Sequence, residues 1–141
     1  MSIWQNMVFW NAIIACLLAQ VLKTIIELFR TKSLNAALFY STGGMPSSHS
    51  ALVTSLSMSV GLAEGFDTTV FAVSAVLAGV VMYDAAGVRR AAGKQAAILN
   101  KLLYTHYSEE EFQEKLKELL GHTPLEVFVG ALLGLGVALL F

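Results

Sequence analysis

Long runs of apolar residues are the feature that most restricts what this chain can fold into. Residues 7–29 are almost continuously apolar and exceed the roughly 20 residues that an α-helix needs to cross a bilayer. Similar runs cover about 46–62, 68–88 and 124–141. Because lipid offers backbone groups no hydrogen-bond partner, such runs must be helical. The sequence therefore predicts an all-α membrane protein with four transmembrane helices in a single domain, residues 1–141.

Charge and cysteine content narrow the class further. The 141 residues are 56% hydrophobic and 13% charged, which is too apolar for a soluble domain of this size. Nine Lys and Arg residues with a net charge of −1 give no basic patch for nucleic acid. A single cysteine, Cys16, excludes an internal disulfide. We expect an integral protein of a bacterial-type plasma membrane, whose partner is the bilayer and not nucleic acid.

One polar stretch, residues 95–121, separates the third apolar run from the fourth. Ser108 followed by three glutamates has the pattern of a capping box that opens a helix, and Gly121 suits the end of that helix. Apolar side chains recur on one side of the residues between them. The stretch predicts an amphipathic helix on the cytoplasmic membrane surface, or a lid.

Basic residues are distributed unevenly about the apolar runs. None precedes the first run, whereas Lys23, Arg30 and Lys32 cluster at its end. A second cluster follows the third run. The positive-inside rule places both clusters in the cytoplasm and both chain ends outside. The second cluster consists of Arg89, Arg90, Lys94, Lys101, Lys115 and Lys117.

The stretch Gly43-Gly44-Met45-Pro46-Ser47-Ser48-His49-Ser50 opens the second run. Glycine allows turns that strain other residues and proline favours the first helical position, so we expect a loop that becomes a helix at Pro46. The free N–H groups and partial positive charge of a helix start suit a phosphate near Ser47, Ser48 and His49. The alternative is a serine-capped helix that carries one polar histidine.

Charged side chains at two other run ends are candidate anion ligands. Lys23 and Arg30 lie on one helix face, about 10 Å apart along its axis. They either converge on one anion or reach separately for the headgroup zone. Asp84, Arg89 and Arg90 lie where an unpaired charge is costly. We expect one arginine to anchor the helix, with Asp84 as its counter-ion, and the other to bind phosphate.

His122 lies at the mouth of the fourth run. Thr123 as N-cap and Glu126 at the third helical position predict a capping box, which by itself explains the glutamate. The spacing Gly130-x3-Gly134 predicts a face for close helix packing, although such spacing also arises by chance in a glycine-rich span.

Three motifs resemble those of the PAP2 superfamily of phosphatidic acid phosphatases and vanadium haloperoxidases, and most of all its short divergent PAP2 membrane proteins. Pro46-Ser47-Ser48-His49 resembles Pro-Ser-Gly-His, and Lys23-x6-Arg30 resembles Lys-x6-Arg-Pro with Thr31 in place of proline. His122-x3-Glu126 resembles the end of Ser-Arg-x5-His-x3-Asp, with glutamate for aspartate and no arginine at that spacing. Four spans would place all three motifs at one membrane face.

The resemblance implies a metal-independent phosphatase that needs no cofactor. In the family, a phosphoryl group passes to a histidine and is then released by water. By motif, His122 is the nucleophile, Glu126 orients its ring, and His49 protonates the leaving group and then activates water. The substrate would be an amphiphilic phosphate such as phosphatidate, phosphatidylglycerol phosphate, or a polyprenyl phosphate or diphosphate. The phosphate-binding residues implied are Lys23, Arg30, Ser47, Ser48 and either Arg89 or Arg90.

Two other interpretations stay open. A metal site would need a third ligand beside His49 and His122, and Asp84 is the one spare acid. A non-catalytic membrane subunit that binds or transports a lipid phosphate would account for the departures from the family motifs. Because larger PAP2 enzymes have six spans, four spans also favour pairing into a homodimer.

Overall fold

The computed structural model describes residues 2–32, 44–106, 116 and 121–141, and within them it leaves the side chains of Arg30, Thr31, Tyr104 and His106 undescribed. These residues are helical, with no strand among them, as the sequence predicts. A short 3-10 helix, Ile3–Gln5, precedes the α-helices. The α-helices are α1 (Met7–Thr31), α2 (Ser48–Glu64), α3 (Thr69–Ala86), α4 (Val88–His106) and α5 (Pro124–Leu140).

Two stretches of the described chain are long and apolar enough to cross a membrane. They are Met7–Phe29, within α1, and Thr69–Leu103, which runs through α3 and most of α4. Helix α5 is apolar but shorter. Many large apolar side chains point outward on these helices, as lipid-facing residues do. The protein is therefore an all-α membrane protein, while the number of four spans remains a prediction; the helix expected to open at Ser108 lies outside the described residues.

Helix α2 lies at the centre of the bundle and packs against α1, α3 and α5. Its inward side chains are small, and Ser55, Ser57 and Ser59 are among its buried residues. Side-chain hydrogen bonds join α2 to both α1 and α3. Asn11 Nδ2 donates to Ser59 Oγ at 3.1 Å, and Ser74 Oγ donates to Ser57 Oγ at 3.3 Å. The core is thus held by close backbone packing and polar contacts, which suits a protein in lipid.

Helices α5 and α2 approach each other closely. A Cβ atom added at Gly130 would overlap the carbonyl oxygen of Ser47, and one added at Gly134 would overlap that of Ala51. The predicted glycine packing face is therefore confirmed. The backbone of α2 also donates across this contact, from Ser47 N to Glu126 O at 3.0 Å. The two helices begin side by side as a result.

The starts of α2 and α5 are capped by side chains. Ser47 Oγ accepts from Ser50 N at 3.3 Å, so α2 begins at Ser48 and not at Pro46. The expectation that Pro46 occupies the first helical position is wrong, because the serine after it takes the capping position. At α5, Thr123 and Glu126 form the predicted capping box, with bonds of 3.3 and 2.9 Å.

Aromatic residues mark the end of the bundle that lies away from these helix starts. Trp4, which precedes α1, stacks on Trp10 in the first turn of α1, with ring centroids 5.8 Å apart. Phe66 meets Phe71 edge to face at 5.1 Å around the turn between α2 and α3. Aromatic side chains are enriched where a membrane meets water. The two ends of the bundle therefore differ: we call the end with these two ring pairs the aromatic end, and the end with Lys23 and Arg89 the basic end.

We predict that Gly134→Ala destabilises the bundle, because its methyl group has to push α5 away from α2. Overpacking of this kind costs about 1–3 kcal/mol of unfolding free energy. Gly136→Ala is the matched control, since a Cβ there meets nothing within 4 Å and alanine favours a helix. Denaturant unfolding in detergent micelles measures both. Equal unfolding free energies for the two variants would show that the glycine contact is not tight.

Candidate functional site

A glycine turn brings the first candidate ligand to the start of α2. Gly44 has φ +97°, a conformation that other residues rarely adopt, and a Cβ there would lie only 3.0 Å from Lys23 Cε. The turn thus lies directly on the lysine stem. Lys23 is buried at 4% exposure, and its charge interacts with that of Glu126. The lysine is therefore held beside the starts of both α2 and α5.

A second glycine turn positions His122. Gly121 has φ +85°, and a Cβ there would overlap the backbone of Arg89 and Arg90. The next residue donates a backbone bond from His122 N to Ala85 O at 2.9 Å. The segment that leads into α5 therefore docks on the junction between α3 and α4. This contact joins residues far apart in the chain, and the sequence pattern did not predict it.

The two candidate catalytic histidines lie next to each other. The ring centroids of His49 and His122 are 6.2 Å apart, and the rings meet edge to face at 74°. His49 is exposed, whereas His122 is buried at 2% exposure. Neither ring nitrogen of His122 has a hydrogen-bond partner among the described residues. Buried polar atoms are normally paired, so these two nitrogens are suited to a ligand or reactant.

Positive charges surround the histidine pair. Lys23 and Arg89 interact electrostatically with both rings, and Asp84 interacts with His49. Burial, followed by the charges of Lys23, His49 and Arg89, lowers the pKa of His122 from 6.5 to about 4. His122 is therefore neutral near pH 7 and keeps an available lone pair.

Of the two candidate arginines, Arg89 is the one whose charge acts on the histidines. Its Nε donates to Asp84 Oδ2 at 2.6 Å, an ion pair that links the end of α3 to the start of α4. Arg90 is exposed, and its backbone lies under Gly121. Asp84 is thus a counter-ion, as expected. Its partner is Arg89, the arginine whose charge acts on the histidines.

The remaining candidates have contacts that bear on their roles. Ser47 is fully buried as the cap of α2, and Ser48 is almost so. One carboxylate oxygen of Glu126 accepts from Thr123 N, and no hydrogen bond joins the carboxylate to the His122 ring. The side chain of Arg30 lies outside the described part of the chain. The phosphate-binding and orienting roles of these four residues stay predictions.

Two further observations complete the site region. No group of three or more His, Cys, Asp or Glu in the described ranges is arranged to hold a metal ion.

Asn100 is buried and clamps residue 116: its Nδ2 donates to Leu116 O at 2.9 Å, and Leu116 N donates to its Oδ1 at 3.1 Å. Helix α4 thereby holds Leu116 by both backbone polar groups. An asparagine within a helical pattern was the only sequence signal for this clamp.

Comparison with known proteins covers nearly the whole chain. The sequence profile of a family described as the divergent PAP2 family matches residues 4–137. A protein of Bacillus subtilis (strain 168), named uncharacterized membrane protein YuiD, is 46% identical over 147 aligned positions, which cover 96% of this chain and 93% of the relative. No solved structure matches significantly. All three motifs of the sequence analysis fall within the matched region.

We predict that the ring of His122 titrates near pH 4, far below an ordinary histidine. Because the unfolded chain takes up this proton near pH 6.5 and the folded protein does not, His122 lowers the unfolding free energy as pH falls from about 6.5 to about 4. NMR of ring-labelled histidine in detergent measures the midpoint. His122→Gln should remove this part of the pH dependence of unfolding, and a His122 midpoint above pH 6 would contradict the burial argument.

Proposed function

Because the chain belongs to the divergent PAP2 family, we propose that it is a metal-independent phosphatase that hydrolyses an amphiphilic phosphate or diphosphate through a phosphohistidine. The observation that carries this proposal is the pairing of a buried, neutral His122 with an exposed His49 between two cations. A nucleophile needs a free lone pair, and a second histidine beside it suits proton transfer.

In the proposed first step, a ring nitrogen of His122 attacks phosphorus. The P–N bond forms while the bond to the leaving oxygen breaks, and His49 gives that oxygen a proton. In the second step, His49 removes a proton from water, whose oxygen attacks phosphorus and releases inorganic phosphate from His122. Glu126 is the proposed stabiliser of the charge on the ring, which requires its carboxylate to leave the capping box or to act through space.

The proposed phosphate cradle combines side chains with a helix start. Lys23 and Arg89 supply positive charge from α1 and α4. Ser47 Oγ caps Ser50 N, and the backbone N–H groups of Ser48 and His49 have no acceptor among the described residues. Free N–H groups at a helix start bind anions well. Fixed donors of this kind accelerate phosphoryl transfer by stabilising charge on the transferred group.

An amphiphilic substrate is supported by where the site lies. The histidines are at the basic end of an apolar bundle, and in a bilayer we expect this end to lie where lipid headgroups meet water. A substrate there would keep its phosphate in the site and its tail among the lipid-facing helices. We place this end in the cytoplasm, following the positive-inside rule. Phosphatidate, phosphatidylglycerol phosphate and polyprenyl phosphates or diphosphates all have the required form.

One observation favours a second candidate, a non-catalytic subunit that binds or transports a lipid phosphate. The His122 ring does not donate the hydrogen bond to the Glu126 carboxylate that a catalytic histidine of this family would use. A phosphate pocket without turnover would fit that geometry. Binding of a lipid phosphate without release of inorganic phosphate separates this candidate from the phosphatase.

We predict that purified protein in detergent releases phosphate from one or more of these lipids with chelator present. His122→Ala should abolish release, and His49→Ala should lower it by about 10²–10⁴-fold through loss of proton transfer. With a radiolabelled substrate, His49→Ala should also accumulate label on the protein that survives alkali and is lost in acid, as phosphohistidine is. Release that persists in His122→Ala would contradict the proposed nucleophile.

A matched arginine pair tests the phosphate cradle. Arg89→Ala should lower kcat/KM by about 10²-fold or more, because one donor to the transferred group is lost. Arg90→Ala removes the same charge one residue away and should change kcat/KM by less than about threefold, since this exposed side chain is not among the charges that act on the histidines. Equal losses in the two variants would mean that the arginines act through net charge alone.

A further inference from the structure

The ion pair between Asp84 and Arg89 depends on a break in the helix. Residues five apart in one α-helix lie roughly 140° apart around its axis, so their side chains point away from each other. Here α3 ends at Ala86, and Gly87 adopts φ −105° and ψ −87° before α4 begins. The break brings Asp84 Oδ2 to 2.6 Å from Arg89 Nε. The pair is therefore a product of the junction and not of helical spacing.

The junction has room for little besides glycine. Gly87 N donates to Tyr83 O at 2.8 Å, and Ala91 N donates to Gly87 O at 2.9 Å, so helical bonds flank the break on both sides. A Cβ at Gly87 would lie 2.9 Å from the Tyr83 oxygen. The same junction accepts the backbone bond from His122 to Ala85. One piece of backbone therefore sets the positions of both the arginine and the proposed nucleophile.

The contact uses a particular edge of the guanidinium group. Asp84 accepts from Nε, and the two terminal nitrogens of Arg89 have no hydrogen-bond partner among the described residues. A guanidinium is a planar fork of five N–H donors, so a bond at Nε fixes its plane and leaves the terminal edge for another anion. That edge is the one suited to bidentate binding of a phosphate.

The ion pair is too exposed to matter much for stability. The side chains of Arg89 and Asp84 are 45% and 38% exposed, and pairs of this kind contribute little to folding. The charge of Arg89 nevertheless acts on both histidines. The orientation of the Arg89 side chain is thus the property that Asp84 controls.

We propose that Asp84 is a positioning residue, which holds Arg89 by Nε so that its terminal amino groups bind the phosphate at the His49–His122 pair. This inference rests on the proposed phosphate site and adds a residue to it that acts through the arginine. Without the carboxylate, the long arginine side chain samples many rotamers, and few of them direct the terminal edge at the phosphate.

The test uses Asp84→Asn and Asp84→Ala, with Asp67→Asn as control. Asp67 is an exposed carboxylate at the aromatic end of the bundle, so its substitution makes the same charge change far from the site. We expect both Asp84 variants to raise KM for a lipid phosphate and the dissociation constant for inorganic phosphate by about tenfold, as misplaced ligands do. We expect kcat to fall by less than about threefold, the unfolding temperature in detergent to stay constant, and the control to match wild type.

A double-mutant cycle shows whether the effect passes through the arginine. In an Arg89→Ala background, Asp84→Ala should change KM and phosphate affinity by less than about twofold, because the group it positions is gone. Full additivity of the two substitutions would overturn the inference, and so would Asp84 variants that equal wild type. A merely structural role would lower the unfolding temperature and stay additive.

The outcomes also separate this inference from the proposed phosphatase activity. If the wild-type protein releases phosphate and the Asp84 variants have the same KM and phosphate affinity, the activity stands and the positioning role is removed. Wild-type protein that binds inorganic phosphate without releasing it from any lipid removes the activity, and the titrations of the Asp84 and Arg89 variants still decide the positioning role. Wild-type protein that neither binds nor releases phosphate overturns both.

Discussion

The close approach of α5 to α2 is the contact on which the rest of the structure depends. Lipid gives no hydrophobic drive to helix association, so these helices are held by backbone contact over Gly130 and Gly134. At their starts the two helices are also joined by a backbone bond from Ser47 N to Glu126 O. Two helix starts from different halves of the chain therefore lie together, and a histidine comes with each. Larger side chains at the glycines would separate the histidines as well as the helices.

The electrostatics of the histidine pair follow from that contact. A histidine enclosed among cations and removed from water keeps its neutral form, because both effects disfavour the imidazolium. Its partner remains exposed, in contact with solvent protons. Two identical side chains are thus placed in different surroundings, one enclosed and one open to solvent. Different surroundings for like groups are a general route to an acid and a nucleophile in one site.

Much of this arrangement could be predicted from local sequence, and the rest depends on distant contacts. Continuous apolar runs gave the helical membrane class, and the spacing of Thr123 and Glu126 gave the capping box, since both are local patterns. The start of α2 was misplaced by two residues because serine and proline compete for the same turn. The choice between Arg89 and Arg90 could not be made, because it depends on a break at Gly87 that leaves no periodic signal. The bond from His122 N to Ala85 O could not be predicted either, because it joins residues far apart in the chain.

The difference between the two ends of the bundle has a consequence for how a lipid would reach the proposed site. The Trp4–Trp10 and Phe66–Phe71 pairs lie at one end, and Lys23, Arg89 and the two histidines lie at the other, so the two ends are not equivalent. The proposed phosphate site lies at one of these ends, so the proposed phosphatase would reach headgroups in a single leaflet only. Amphiphiles delivered to the opposite leaflet would first have to flip across the bilayer. For the proposed activity, the direction in which the chain inserts would therefore decide which leaflet supplies the substrate.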